Sequence, residues 1–297
     1  MRENKVVYGL IGYGGMGRWH TEILSNVSEA VIGGIYDIKE EKREEAKAKG
    51  FSVYETEEAM LADSDIDVVL IATPNDCHKP IAIRAMHAGK NVISEKPVTL
   101  SSADLLEMEK VAKETGKLFT VHQNRRWDDD FLIIKKLVEE QKLGHVFRIE
   151  SRVHGSRGIP GDWRKEKVHG GGMVLDWGVH RLDQILYMYG DRKIETVYAS
   201  LTNITNQEVD DGFTAILTFE GGTEVLVEVG TNNYISLPRW YVLGKDGTAV
   251  IRDWQLTGEI IRKTGKTEET VIPVKTAAGL TKTMAPRRED TIVKEDL

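Results

Sequence analysis

Through the first third of the chain, short apolar runs alternate with charged segments of helical period. The runs KVVYGLIG, AVIGGIYD, DVVLIAT, KNVISEKP and KLFTVHQN are apolar nearly throughout, as parallel strands buried on both faces should be. Between them the spacing predicts helices over 15–25, 39–49, 56–61, 78–88 and 101–115, the last opened by Ser101 as N-cap. Strict alternation of strand and helix predicts a doubly wound parallel sheet. After residue 124 the rhythm changes. A helix over 129–141 leads to a strand over 145–154, a Gly-rich loop and a single helix over 172–189. The runs VYASLTNI, GFTAILTFE and TEVLVEVGT then follow, the last two split by Gly221 and Gly222, and they predict a mostly antiparallel sheet. The fold class is therefore α/β, with one domain over 1–124 and a second over 125–297.

Composition narrows the class of function. Of 297 residues, 40% are hydrophobic and 29% charged, enough apolar material for two cores, and the net charge of -7 disfavours a nucleic-acid partner. Cys77, the one cysteine, cannot close an internal disulfide or form a C-x-x-C zinc pair, so no metal centre is predicted and a reducing cytoplasm fits. No apolar run approaches membrane-spanning length, and MRENK is not a signal peptide, so no membrane partner is expected.

Three stretches carry candidate chemistry. In GLIGYGGMGRWH, Gly12, Gly14 and Gly17 form G-x-G-x-x-G after a strand and at the mouth of a helix. There they allow, in turn, a tight turn, close approach of a pyrophosphate and close helix–strand packing, and the helix N-terminus offers free N–H groups to phosphate. Glycines that merely tighten a turn are the bland alternative. Asp37, twenty residues after Gly17 (37 minus 17), favours the dinucleotide, because an acid there accepts bonds from ribose hydroxyls. It would also repel the 2'-phosphate of NADP, and Ile38 rather than an arginine follows it, so NAD is expected, with Lys39 keeping NADP as the alternative. In SEKPVTL, Lys96 sits at the carboxyl end of a strand, where a cation can stabilise an alkoxide; a surface ion pair with a neighbouring glutamate is the competing reading. In GGGMVLDWGVHRLDQ, Asp176 and His180 lie four apart on the expected helix and share a face, with Asp183 one turn beyond. They read equally as a proton-exchanging pair or as two partners satisfying each other.

Taken in order, GYGGMG, ATPNDCH, EKP, QNRRWDDDF and GGGMVLDWGVHRLDQ resemble the Gfo/Idh/MocA (glucose-fructose oxidoreductase and inositol dehydrogenase) family over essentially the whole chain. The resemblance implies an N-terminal Rossmann domain, a C-terminal α/β domain with a large open sheet, and oxidation or reduction of a sugar, inositol or related polyol by NAD or NADP. It implies that Lys96 touches nicotinamide and substrate, that Asp176 is the acid and that His180 transfers the proton. Tyr13, Gly15 and Met16 within GYGGMG, with Ile38, Thr73, Pro74, Asn75, His78, Glu95 and Asn124, are the further positions expected at the dinucleotide. Arg126, His154, Trp163, Arg164 and Trp177 are candidate polyol contacts, each of which could equally be structural. The family usually continues into a helix packed back on the body, whereas this sequence stops at TIVKEDL without it. Trp177 and GDWRKEKVHGGG resemble an uncharacterised subgroup more than the inositol enzymes. Alternating apolar positions in FTAILTF and EVLVEV predict a broad apolar sheet face and hence a homodimer or homotetramer. Two other functions compete: a non-catalytic NAD-dependent sensor, against which intact Lys96, Asp176 and His180 argue, and a redox-neutral sugar enzyme that oxidises its substrate transiently.

Overall fold

The computed structural model describes residues 4–265, 268–276, 279–289 and 291–296. By the density of its contacts the chain divides into two compact units, Met1–Asn124 with Ile159–Val179, and Arg125–Gly158 with His180–Leu297. The segment Ile159–Val179, which the sequence places in the second domain, thus clusters with the first. Long-range bonds do this: Asn75 Nδ2 donates to the Gly170 carbonyl at 2.8 Å, His169 meets Asp76 at 3.1 Å, and Lys96 bonds Asp176.

The first unit holds β1 (Val6–Ile11), α1 (Gly15–Leu24), β2 (Ala30–Tyr36), α2 (Glu40–Ala48), α3 (Glu57–Ala62), β3 (Val68–Ile71), α4 (His78–His87), β4 (Asn91–Ser94), α5 (Ser102–Thr115) and β5 (Phe119–Val121). The strands form one parallel sheet in the order β2-β1-β3-β4-β5. β3 is buried along its whole length, as the unbroken run VVLI requires. One buried cluster gathers Val7, Ile11, Val69, Met86 and Met108; another gathers Leu10, Tyr13, Ile35, Ala46 and Leu70. Because successive residues of a strand face opposite sides, Leu10 and Ile11 serve different clusters. The Ser101 hydroxyl accepts the Asp104 N–H and caps α5, and Thr56 caps α3 in the same way. Strand order reverses at β1, which leaves the loops after β1 and β3 diverging at the carboxyl edge, the place where such sheets receive ligands.

The second unit holds α6 (Asp129–Glu139), β6 (Val146–His154), α7 (Val179–Tyr189, whose first residue clusters with the first unit), β7 (Ile194–Thr202), β8 (Gly212–Phe219), β9 (Thr223–Gly230), β10 (Trp240–Gly244), β11 (Gly247–Ile251), β12 (Gly258–Lys263), the hairpin β13 (Glu268–Thr276) and β14 (Gly279–Glu289), and β15 (Ile292–Asp296). Eight strands pair in the order β15-β12-β11-β10-β6-β9-β8-β7, antiparallel except for β6 with β9. One sheet face is buried: Ile149, Val225, Val227, Phe219, Trp240 and Val242 lie on it. Phe131 of α6 lies 6.3 Å from Trp240, and Tyr189 of α7 stacks on Phe219 at 4.6 Å, so the helices cover that face. On the other face Tyr198, Ile216, Leu226, Glu150, Tyr241 and Val250 fall in one register row. The expectation of a broad apolar surface needs correcting here. β6 runs through the middle of the sheet and brings Arg148, Glu150 and Arg152, which ion-pair with one another and with Glu224 and Glu228.

The single helix expected over 172–189 is also not continuous. Val174–Gly178 forms a π-helical turn that runs into α7. The wider turn changes which residues share a face, so the four-residue spacing of Asp176 and His180 no longer implies a common direction. Among the described residues no helix is long and apolar enough to cross a membrane.

Candidate active site

The glycine-rich turn shows a different constraint at each glycine. Gly12 has φ +96°, and a Cβ there would meet the Ala72 carbonyl oxygen at 2.6 Å. A Cβ on Gly17 would lie 2.1 Å from the Gly12 carbonyl oxygen. Both glycines are therefore demanded by the fold. Gly14 and Gly15 are not: a Cβ at either meets nothing within 4 Å. Gly14 is the N-cap of α1 and offers no side-chain cap, so the first-turn N–H groups are left for a ligand. That free space at a helix N-terminus fits a pyrophosphate.

Asp37 closes the other side of the turn. One carboxylate oxygen accepts the Tyr13 N–H at 2.7 Å and the other the Lys39 N–H at 2.9 Å. Gly12, Gly14, Gly15, Met16, Asp37, Ile38, Thr73, Pro74, Asn75, Glu95 and Lys96 line one cleft of about 780 Å³, with Trp163 and Arg164 also in its wall. The volume is that of a cofactor-sized site. Ile38 is 83% exposed at the rim, an apolar surface suited to one face of a base. Tyr13, Gly17 and His78 stand behind the wall. Tyr13 is fully buried, its ring edge against Phe51. His78 is fully buried as well, its ring nitrogens 2.8 Å from the Pro97 and 3.0 Å from the Thr73 carbonyl oxygens, and burial pushes its pKa down against those two carbonyls. It fixes the loops that carry Thr73 and Pro97 instead of facing the cleft.

At the end of β4, the Lys96 ammonium donates to the Asp176 backbone oxygen at 2.9 Å and to its Oδ1 at 3.1 Å. Arg164 Nε reaches the same Oδ1 at 3.2 Å, and its guanidinium lies 4.7 Å from the centre of the Trp163 ring. Burial pushes the Asp176 carboxyl up, but Lys96 and Arg164 outweigh it and hold the group below the usual aspartate range. Asp176 is thus a fixed anion with Oδ2 taken by neither cation. Glu95 is buried, and its Oε1 is approached by His20 Nε2 at 2.7 Å and His122 Nδ1 at 3.0 Å, while Oε2 accepts the Lys96 N–H at 3.2 Å. Burial alone would raise its pKa; the bonds from His122 and His20 win and bring it down to about 2.

Trp177 lies half-buried in the π-helical turn, and Asn124 half-buried at the start of a short 3-10 turn, Asn124–Trp127. His180, Arg126 and His154 belong to the second unit. His180 is 5% exposed on the first turn of α7. Arg126 is held by Asp183 through two bonds of 2.8 and 2.6 Å, with Tyr187 4.6 Å beneath its guanidinium. His154 accepts the Leu237 N–H at Nδ1, and its Nε2 lies 3.4 Å from Glu228. Arg126 is spent on partners within its own unit, whereas the buried His154 Nε2 makes no hydrogen bond among the described residues. Sequence reasoning missed Lys42, Glu57, Arg84 and Asp162 in the cleft wall, and the two histidines on Glu95. Only the position of His20, one turn into the helix after the glycines, could have pointed to it.

Comparison with known proteins identifies both domains. Residues 6–123 match the oxidoreductase family model with an NAD-binding Rossmann fold, and residues 131–250 match the GFO/IDH/MocA C-terminal domain. The chain is 34% identical over 184 residues to the uncharacterised oxidoreductase YdgJ of Escherichia coli, covering 61% of this chain and 53% of that protein, so it spans about half the length of that relative. It is 30% identical over 244 residues to the NADP-dependent scyllo-inositol 2-dehydrogenase IolW of Bacillus subtilis, covering 82% of this chain and 67% of that one. Among solved structures, an NAD-binding protein from Listeria innocua superposes with a TM-score of 0.91 at 52% identity, covering 98% of this chain and 84% of that chain. With both domain models matched in order along one chain, this protein belongs to the Gfo/Idh/MocA oxidoreductase family.

Proposed function

We infer that the protein is a nicotinamide-dependent dehydrogenase or reductase acting on a secondary alcohol or ketone of a sugar, inositol or related polyol, with NAD as its carrier. The observation that carries this reading is Lys96 in the wall of the cleft that Gly14 leaves open, its ammonium held from behind by Asp176. The bound dinucleotide would supply hydride acceptance or donation, held by the turn from Gly12 to Met16 and by Asp37. An ammonium has three donors, and Lys96 spends two on Asp176. The third is free to address a substrate oxygen and stabilise negative charge developing there. Asp176, kept ionised by Lys96 and Arg164, offers Oδ2 to a neighbouring hydroxyl and orients the sugar. His180 exchanges the hydroxyl proton, a role its side chain suits near neutral pH. Asp37 supports NAD, since a carboxylate disfavours a 2'-phosphate. The NADP specificity of IolW makes that choice the point to test.

The test is a screen of polyols and aldoses with NAD and NADP, read by absorbance of the reduced cofactor. Steady formation of free NADH from a polyol supports the reading. Tight NAD binding without turnover on any of them overturns it in favour of a sensor. The half-apolar sheet row from Tyr198 to Val250 supports a homodimer or homotetramer. Light scattering that gives a clean monomer at micromolar concentration would refute that assembly.

A further inference from the structure

Beside the cofactor cleft, three side chains from distant parts of the first unit converge on one point. His20 comes from α1, Glu95 from the end of β4, and His122 from the residue after β5. Two imidazole nitrogens and a carboxylate oxygen lie within 4.8 Å of one another. Both imidazoles address the same oxygen, Glu95 Oε1, at 2.7 and 3.0 Å. The rings meet edge to face with centroids 4.7 Å apart, and Trp19 packs against both, 5.1 Å from His20 and 5.7 Å from His122.

We propose that His20, Glu95 and His122 form a binding site for a divalent transition-metal ion of the zinc class, at the edge of the cofactor cleft that Glu95 also lines. Two nitrogens and one carboxylate oxygen are a donor set for zinc, cobalt or nickel and a poor one for magnesium or calcium, which want oxygen alone. Bonds of about 2.0–2.2 Å in a tetrahedral site place donor atoms roughly 3.3 Å apart. The His122 separation from Oε1 falls short of that by about 0.3 Å and the His20 separation by about 0.6 Å, so the His20 ring must move the further, by side-chain rotation. His20 and Glu95 are buried while the His122 side chain is 28% exposed, so an ion has a route in, and water can complete the fourth position. Binding exchanges two N–H···O bonds for two metal–nitrogen bonds. A ring nitrogen becomes a ligand by passing its proton to the other nitrogen of the same ring, so protons balance without a co-reactant. Because Glu95 Oε2 also holds the Lys96 N–H, the ion would act on the strand end that carries Lys96.

Chelator-washed full-length protein titrated with Co²⁺ tests this, with Zn²⁺ calorimetry in parallel. One equivalent per chain should give the visible absorption of nitrogen-ligated, low-symmetry cobalt, displaced by Zn²⁺. His122→Phe, whose fold is checked by its thermal transition, should weaken binding by more than the about 10–100-fold that loss of an outer-shell partner costs. His87→Ala, an exposed histidine elsewhere on the unit, should leave it intact. No cobalt band at one equivalent, or a band that survives His122→Phe or disappears with His87→Ala, overturns the proposal and leaves a hydrogen-bonded brace for Glu95. Metal binding is read directly, so it stands or falls independently of which polyol the enzyme turns over.

Discussion

Replacing Gly14 by alanine separates what the fold needs from what the ligand needs. The added methyl meets no atom of the protein within 4 Å, and Gly14 has φ -79°, outside the left-handed region that favours glycine. The folded chain should therefore lose nothing. It should gain about 0.4–1 kcal/mol, because the unfolded chain has fewer conformations to give up. The same methyl occupies space at the N-terminus of α1, where a pyrophosphate would take its charge-assisted bonds from backbone N–H groups. Losing one such bond costs about 1.5–3 kcal/mol, roughly a tenfold to hundredfold rise in the Kd for NAD. Gly17→Ala supplies the contrast. Its Cβ would lie 2.1 Å from a backbone oxygen, so the helix must shift, at about 1–3 kcal/mol. Thermal unfolding and calorimetric titration with NAD, run on both variants, read the two effects separately. A Gly14→Ala protein that binds NAD as tightly as the parent would show that the dinucleotide lies elsewhere, and one as destabilised as Gly17→Ala would show that the free space is not there.

Other consequences follow from single groups. Asp37→Ser should weaken NAD by roughly tenfold to hundredfold and narrow the gap to NADP, since it removes both a ribose acceptor and a repulsive charge; an unchanged ratio of the two affinities would move specificity to Lys39. His180→Ala should lower turnover by about 10²–10⁴-fold with NAD affinity nearly unchanged, as loss of a general acid or base does, and a rate within a few fold of the parent would remove it from the mechanism. In the second unit, burial raises the pKa of Asp130, but Arg181 and Arg239 outweigh it and hold the carboxyl below its ordinary value. Its stabilising contribution is therefore complete above the unfolded-state pKa of about 4 and lost as pH falls through the lower folded value. Asp130→Asn leaves the two guanidiniums without their shared anion and should cost about 3–5 kcal/mol at neutral pH, with the deficit shrinking below about pH 4; a constant deficit across that range would refute the assignment.

The parallel sheet was legible because β1, β3 and β4 are apolar on both faces and their helices start at recognisable caps such as Ser101. The glycine turn was legible because Asp37 follows it at a fixed distance. Other features depend on contacts that no local pattern carries. The stretch 155–172 has no hydrophobic period, and its place is set by Asn75 and Asp76, 95 and 93 residues away from their partners Gly170 and His169. The π-helical turn at Val174–Gly178 inserts extra width into what reads as an ordinary helical repeat, so the sequence alone puts Asp176 on a shared face with His180. Nothing local in the sequence links His20 to Glu95, because the two are 75 residues apart.

The position of β6 has a bearing on how the polypeptide acquires its structure. Both neighbours of this strand lie downstream: β9 pairs with it across 76 residues, as between Arg148 and Glu224, and β10 flanks its other edge. A nascent chain emerging from the ribosome can complete the first five strands while β6, with Ile149 and Val153, still has neither edge paired. Closure of so many long loops before any pairing reward is slow. The early sheet should thus become protease-resistant during synthesis well before the later one, and the interval in which β6 stays bare is when this chain is most exposed to aggregation and most dependent on chaperones.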